Sequence, residues 1–151
     1  MKSFLRKKSK KNKAVEEDKL KRFLGFIEEK PWDMDVKRII MTLLYTGMRA
    51  GECLGLSWDD VDFEHHALFV RHTLSYDGKE YKLTEPKTEN SIRVIGMGTE
   101  LERILHEQKK YTDTLKKAFG RKFPHPEMVF PSANGNYRDR HSVYVSLKRM
   151  T

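Results

Sequence analysis

Cysteine is almost missing from this sequence: Cys53 stands alone among 151 residues, so no disulfide can form within the chain, and its thiol fits a reducing compartment. Long apolar runs are missing too. None approaches the ~20 residues that a bilayer-spanning helix needs. The basic N-terminus is followed by no apolar core segment, so no secretory leader is expected. Internal repeats are absent, and low complexity is confined to the first residues. What remains, with 38% hydrophobic and 34% charged residues, suits a globular protein with a modest core. The length suits one domain, or one domain plus a tail, burying roughly 70% of its unfolded surface.

Acidic residues are also missing where the basic ones are densest. Residues 1–13 contain Lys2, Arg6, Lys7, Lys8, Lys10, Lys11 and Lys13 and no acid, so the tail holds +7 of the net +8. The sequence pI of 9.5 therefore describes a basic tail on a nearly neutral body. Residues 1–15 are expected to form a tail or interdomain linker, unstructured by itself and able to release counterions along phosphates. Lys7, Lys8, Lys10 and Lys11 are its candidate DNA contacts. The plain alternative is a solvated terminus.

Periodicity organises the rest. Leu20, Phe23, Leu24 and Ile27 predict a helix over about 16–30, stopping near Pro31. Asp33 or Asp35 is placed to cap a second helix that buries Val36, Ile39, Ile40, Leu43 and Leu44, and Gly47 to end it in a left-handed conformation. A short helix is expected from Arg49 to Leu54 or Gly55. Ala67–Ser75 alternates as a strand with Leu68, Val70 and Leu74 on one face, and Tyr76-Asp77-Gly78-Lys79 reads as a turn. Tyr81–Thr84 and Ile92–Ile95 complete a three-stranded antiparallel sheet. Leu101, Ile104, Leu105, Gln108, Leu115 and Phe119 mark a long helix with Thr99 as its N-cap and Gly120 as its end. Pro124, Pro126, Pro131 and Asn134-Gly135 then frame a loop around a buried Met128-Val129-Phe130, and a last helix starts near Asp139. The expected fold is α+β, mainly helical, with a small three-stranded antiparallel sheet packed on a helical bundle.

One spot has the chemistry of a phosphate site. Thr46-Gly47-Met48-Arg49 sets an arginine just past a helix-ending glycine and at the start of another helix, where backbone donors and a guanidinium fork converge. Glu52 follows one turn later and can fix the Arg49 rotamer. Taken alone, this reads first as an ordinary surface Arg–Glu pair beside a capped turn, since such pairs are common and individually weak.

Thr46-Gly47-Met48-Arg49-Ala50-Gly51-Glu52, followed by Leu54-Gly55-Leu56-Ser57-Trp58-Asp59-Asp60-Val61-Asp62, resembles the first active-site box of the tyrosine recombinases, the phage-type integrases. The resemblance implies that Arg49 contacts the scissile phosphate and Glu52 supports it. Cys53, where many members carry leucine, reads as a small core residue and not a nucleophile. A second stretch, Pro86-Lys87-Thr88-Glu89-Asn90-Ser91-Ile92-Arg93, is similar to the family's lysine hairpin between the second and third strands. There the resemblance makes Lys87 the general acid that protonates the leaving 5′ hydroxyl, a role suited to a lysine whose pKa is lowered by desolvation and neighbouring cations. Arg93 is read as a contact to backbone phosphate, with a solvent-facing side chain as the plain alternative.

The family's later residues, a His-x-x-Arg box, a His or Trp and the tyrosine nucleophile, do not follow. His65, His66, His72, His106, His125 and His141 are followed three residues on by Leu68, Phe69, Ser75, Lys109, Met128 and Tyr144. Arg138-Asp139-Arg140-His141 corresponds in place to the helix before that box, and Tyr137 and Tyr144 come too early to be the nucleophile. Residues 16–151 are thus expected to be the N-terminal portion of a catalytic domain, with no nucleophile of their own.

The resemblance implies metal-free phosphoryl transfer through a 3′-phosphotyrosyl intermediate, with arginines in place of a metal ion and no cofactor. It implies double-stranded DNA as partner, a recombinase tetramer on that DNA for the full-length protein, no membrane, and a bacterial cytoplasmic, nucleoid-associated setting. The chain alone is expected to be inactive. The alternative is a natural truncated recombinase acting as a non-cutting DNA-binding or regulatory module. A metal-dependent nuclease would draw on Asp59, Asp60, Asp62, Glu64, His65 and His66, but these cluster in one loop-to-strand passage and read as turn residues and solvated charge.

Overall fold

The computed structural model describes residues 16–29, 33–85, 88 and 92–150. The expected tail, with Lys7, Lys8, Lys10 and Lys11, lies outside these residues, as do Pro31, Lys87 and Ser91. The chain divides into two compact units, Met1–Pro31 and Trp32–Thr151.

In the first unit, helix α1 spans Glu17–Glu29. Exposure falls along its apolar stripe from Leu20 to the buried Ile27. Exposed ion pairs along it, such as Lys21–Glu17 at 2.8 Å, add little.

The second unit begins with α2, Met34–Thr46. Asp33 is its cap, accepting the Asp35 N–H at 3.0 Å, and Gly47 closes it at φ 66°. Val36, Ile39 and Ile40 are buried as expected, but Leu44 is exposed, because a 3.6-residue period carries it past the edge of the buried stripe. Asp35 points inward. Its carboxylate takes hydrogen bonds from Arg138 Nη2 and, at 3.0 Å, from Gln108 Nε2, which also reaches the Val129 carbonyl at 2.8 Å. Arg38 Nε donates to Gln108 Oε1 at 2.6 Å. This buried polar network joins α2 to the long helix α4 (Thr99–Phe119), to the Met128–Pro131 segment and to the approach to α5 (Arg140–Met150).

The short helix α3, Ala50–Leu54, lies against strand β3, Thr73–Tyr76. Two glycines allow the approach: a Cβ on Gly51 would stand 2.9 Å from the Leu74 carbonyl oxygen, and one on Gly55 would stand 2.9 Å from the Leu74 nitrogen and 3.2 Å from the His72 oxygen. These neighbours are backbone and cannot swing away. Gly55→Ala is therefore expected to cost about 1–3 kcal/mol in urea denaturation. Gly25→Ala, whose Cβ on α1 would meet nothing within 4 Å, should be neutral or stabilising.

The antiparallel strands differ from expectation in their grouping. β1 (Val61–Asp62), β2 (Ala67–Val70) and β5 (Arg93–Gly96) form the three-stranded sheet in that order, while β3 and β4 (Tyr81–Thr84) pair separately as a hairpin. The single strand expected over Ala67–Ser75 is thus two, broken at Arg71-His72. At the break, Arg71 Nη1 and His72 Nδ1 stand 3.7 and 3.9 Å from the carboxylate of Asp60, which is buried. The long helix α4 starts after Gly98, not after a capping Thr99; Thr99 is its first residue and makes no side-chain cap. Gly120 ends it at φ 57°.

The core gathers Ile39, Cys53, Leu54, Leu56, Leu68, Val70, Leu74, Leu101, Leu105, Val129 and Phe130. The Met128–Phe130 segment is held in place by backbone pairing, with Trp58 N donating to Glu127 O at 2.8 Å and Val129 N to Leu56 O at 3.0 Å.

Candidate phosphate-binding site

Gly47 turns the chain out of α2, buried Met48 anchors it, and Arg49 takes the N-cap position of α3 with extended backbone (φ −71°, ψ 150°). One turn on, Glu52 folds back. Its Oε2 accepts the Arg49 N–H at 2.9 Å, satisfying one of the donors that a helix start leaves open. Among the described residues the Arg49 guanidinium is barely held: its Nη1 is 3.5 Å from Glu52 Oε1, and 87% of the side chain is exposed.

The main guanidinium partner of Glu52 is Arg93. Its Nη1 and Nη2 meet Oε1 and Oε2 at 3.1 and 2.8 Å, a two-pronged fork. The Glu52 side chain is 8% exposed and that of Arg93 is 42%. The register explains the encounter. Arg93 pairs with Val70 across the antiparallel β2–β5 ladder, directly opposite residues share a face, and Val70 faces the core where Leu54 of α3 also packs. The electrostatics agree: the Arg93 hydrogen bonds hold the Glu52 carboxyl below its ordinary value, against the opposing effect of burial and with help from the Arg49 N–H. Glu52 in turn raises the Arg93 guanidinium.

The site therefore has a buried carboxylate clamping two elements, α3 and β5, and one nearly free guanidinium in front of it. Glu52 fixes the backbone of Arg49 more firmly than its rotamer. Lys87, expected beside Arg49, is outside the described residues. It falls between β4, which ends at Thr84, and β5, which begins at Arg93.

Sequence reasoning missed a further link to that connection. Tyr81 on β4 donates its hydroxyl to Asp139 Oδ1 at 2.5 Å, and the same oxygen accepts the His141 N–H at 2.8 Å at the start of α5. The strand leading toward Lys87 is thereby tied to the cap of the last helix. Arg138, adjacent in sequence, is buried against Asp35.

Cys53 is fully buried and burial pushes its thiol pKa up, the opposite of a reactive nucleophile. Asp60 accepts from the N–H and Oγ of Ser57 at 3.0 and 3.1 Å, and Asp62 is bonded to His65 at 2.8 Å. His66 is bonded to Glu102. Among the described residues no three His, Cys, Asp or Glu side chains are grouped to hold a metal ion.

Comparison with known proteins gives this geometry its relatives. The ICEBs1 integrase of Bacillus subtilis (strain 168) is 29% identical over 122 residues, covering 80% of this chain and 32% of that protein. A tyrosine recombinase XerC-like protein of Caldanaerobacter subterraneus subsp. tengcongensis is 35% identical over 83 residues, covering 49% of this chain and 21% of that one. Among solved structures, the Tn1549 transposon integrase in complex with circular intermediate DNA superposes with a TM-score of 0.74 at 25% identity, covering 95% of this chain and 46% of that chain. The chain thus spans about a third or less of the curated relatives. The model of the phage integrase family matches residues 13–151. A match over that span, with the fold and the arginine–glutamate box in place, shows that the chain belongs to the phage integrase family, the tyrosine recombinases.

Proposed function

We propose that this chain supplies part of the phosphate-handling site of a DNA integrase, a complete tyrosine recombinase that cuts and rejoins DNA at specific sites. The observation that carries the reading is the Arg49 guanidinium, 87% exposed on a backbone fixed by a buried carboxylate. Such a group is free to take a phosphate without first giving up a strong partner.

In the proposed reaction a tyrosine Oη attacks the scissile phosphorus, the 5′ oxygen leaves, and the 3′-phosphotyrosyl bond conserves the energy for resealing. Arg49 neutralises charge on the non-bridging oxygens in place of a metal ion, and no cofactor takes part. Lys87 delivers a proton to the departing 5′ oxygen. Glu52 positions Arg49, and Arg93 acts chiefly through Glu52, with its exposed edge turned to the DNA backbone. Lys7, Lys8, Lys10 and Lys11 add phosphate contacts from the tail. The partner is double-stranded DNA, the working assembly of the complete protein a tetramer on it, and the setting the bacterial cytoplasm at the nucleoid. No helix among the described residues is long and apolar enough to cross a membrane.

The 151 residues by themselves should bind DNA without cutting it, since they contain no His-x-x-Arg box. A nicked suicide duplex should give no covalent adduct on a denaturing gel, and duplex affinity by fluorescence anisotropy should fall about tenfold in Arg49→Ala, the worth of one charge-assisted contact. A covalent adduct would overturn the claim of inactivity. Unchanged affinity in Arg49→Ala would overturn the assignment of Arg49.

A further inference from the structure

Beyond the Arg49 site, one short stretch of the protein body carries a large net positive charge. Residues 109–122 hold Lys109, Lys110, Lys116, Lys117, Arg121 and Lys122 against a single acid, Asp113. That stretch is +5, whereas the whole chain after residue 13 is +1, so everything else in the body sums to −4.

Asp113 is occupied by Lys109 at 2.8 Å and approached by Lys116 at 3.9 Å. Lys110, Lys117, Arg121 and Lys122 are exposed and, among the described residues, make no ion pair with an acid, although Lys117 acts on Asp113 at longer range. Lys110 and Lys117 are two helical turns apart and share a face of α4 with the exposed Thr114 between them. Arg121 and Lys122 continue past the helix end in the 3-10 turn Gly120–Lys122. The crowding registers at Lys116, whose ammonium is pulled below its ordinary value by burial first and then by Lys109 beside it.

Helix-end stability accounts for only part of this. Lys116 and Lys117 lie in the last turn of α4, where cations complement the helix dipole. Lys110 is more than two turns from that end, and Arg121 and Lys122 lie beyond it. The only large apolar side chain exposed within the stretch is Phe119, which leans on Phe123 with ring centroids 6.0 Å apart. That is too little for the apolar centre of a protein–protein interface. The stripe from Lys110 to Lys122 is about 20 Å long by helix rise, which matches about six base-pair steps along the axis of a duplex.

We propose that Lys110, Lys117, Arg121 and Lys122 form a second DNA-contact surface, gripping the phosphate backbone of duplex DNA apart from the Arg49 site; the inference rests on the reading of the chain as a DNA recombinase. It requires no base contact and no sequence preference.

Salt dependence is the test, because each phosphate neutralised adds about 0.9 to the slope of log affinity against log salt concentration. Duplex binding by the chain is measured by anisotropy across a salt series, for the parent protein, Arg49→Ala and the quadruple variant Lys110→Gln, Lys117→Gln, Arg121→Gln, Lys122→Gln. The slope of the quadruple variant should be shallower by about 3 to 4, against about 1 for Arg49→Ala. The pair Lys110→Glu, Lys117→Glu makes the same change of charge on fewer substitutions and should also weaken binding at every salt concentration. Circular dichroism checks that the variants fold. A quadruple-variant slope within 1 of the parent overturns the second surface while leaving the Arg49 site standing. A loss of binding to poly-glutamate with duplex binding untouched would place an acidic protein there instead, and also overturns it. If the parent chain fails to bind duplex DNA at all, the DNA-recombinase reading fails first and this inference with it.

Discussion

Asp35→Ala should lower stability by about 3–5 kcal/mol, read as a large drop in the urea midpoint at unchanged slope. Asp35 is 3% exposed and Arg138 9%, so the pair between them is shielded from solvent. Among the described residues, removing the carboxylate leaves the Arg138 guanidinium hydrogen-bonded to the Pro131 carbonyl alone, at 3.0 and 3.3 Å, with Asp33 acting on it only at longer range, and leaves Gln108 short of an acceptor for one amide hydrogen. Arg38, bonded to Gln108 at 2.6 Å, adds a second buried cation to the same network. The penalty comes from stranding charge, not from losing attraction. Asp35→Leu combined with Arg138→Met should therefore recover most of the loss, because a buried pair can be replaced by apolar side chains at little net cost. A loss below about 1 kcal/mol in Asp35→Ala would show that water reaches Arg138 and that the network is not closed. The consequence extends to function. The network seats α2, and α2 ends at Gly47, two residues before Arg49.

What the sequence made legible was local. Asp33 and Gly47 bound α2 and Gly120 ends α4 through chemistry confined to a few neighbouring residues, and all three stand where capping rules put them. The box around Arg49 and Glu52 was legible as a motif. What escaped was set by contacts distant in sequence. Leu68, Val70 and Leu74 keep a period of two straight through Arg71-His72, so alternation could not show that the chain changes sheets there. In strand β5 Val94 is exposed, while Arg93 turns toward Glu52 on the face that carries the half-buried Ile95, so hydrophobicity alone leaves the facing of the strand undecided. Gly51 and Gly55 looked like parts of a motif, and their close approach to β3 needed both elements in view. The Asp35 network joins residues up to 103 positions apart, and nothing in the local pattern of Asp35 distinguishes it from a second cap candidate.

The Arg93–Glu52 fork yields the sharpest separation of roles. Arg93→Leu should cost about 2–3 kcal/mol, less than a fully buried pair because Arg93 is 42% exposed, but substantial because it leaves Glu52 ionised and buried. Arg49→Ala should change stability by no more than about 0.5 kcal/mol, since among the described residues its side chain makes only the 3.5 Å contact, yet it should weaken DNA binding more directly. Arg93→Lys should fall between, restoring a charge but not the two-pronged geometry. The pH dependence separates this from simple packing loss. Glu52 has a depressed pKa in the folded protein, so its contribution is fully present above the unfolded value of roughly 4.3 and is lost as pH falls through the lower folded value. Without Arg93 the depression is largely removed, so the stability difference between the parent and Arg93→Leu should be widest near pH 7 and should narrow below about pH 4. Urea midpoints from pH 7 to pH 3 give that difference directly. Other carboxylates, Asp62, Asp77, Asp113 and Asp139, are also lowered, but they titrate alike in both proteins and cancel. A difference that does not change with pH would mean that Arg93 matters for its bulk alone. Equal destabilisation by Arg49→Ala and Arg93→Leu would mean that Glu52 is shared evenly, and that Arg49 must release a real partner before it can take a phosphate.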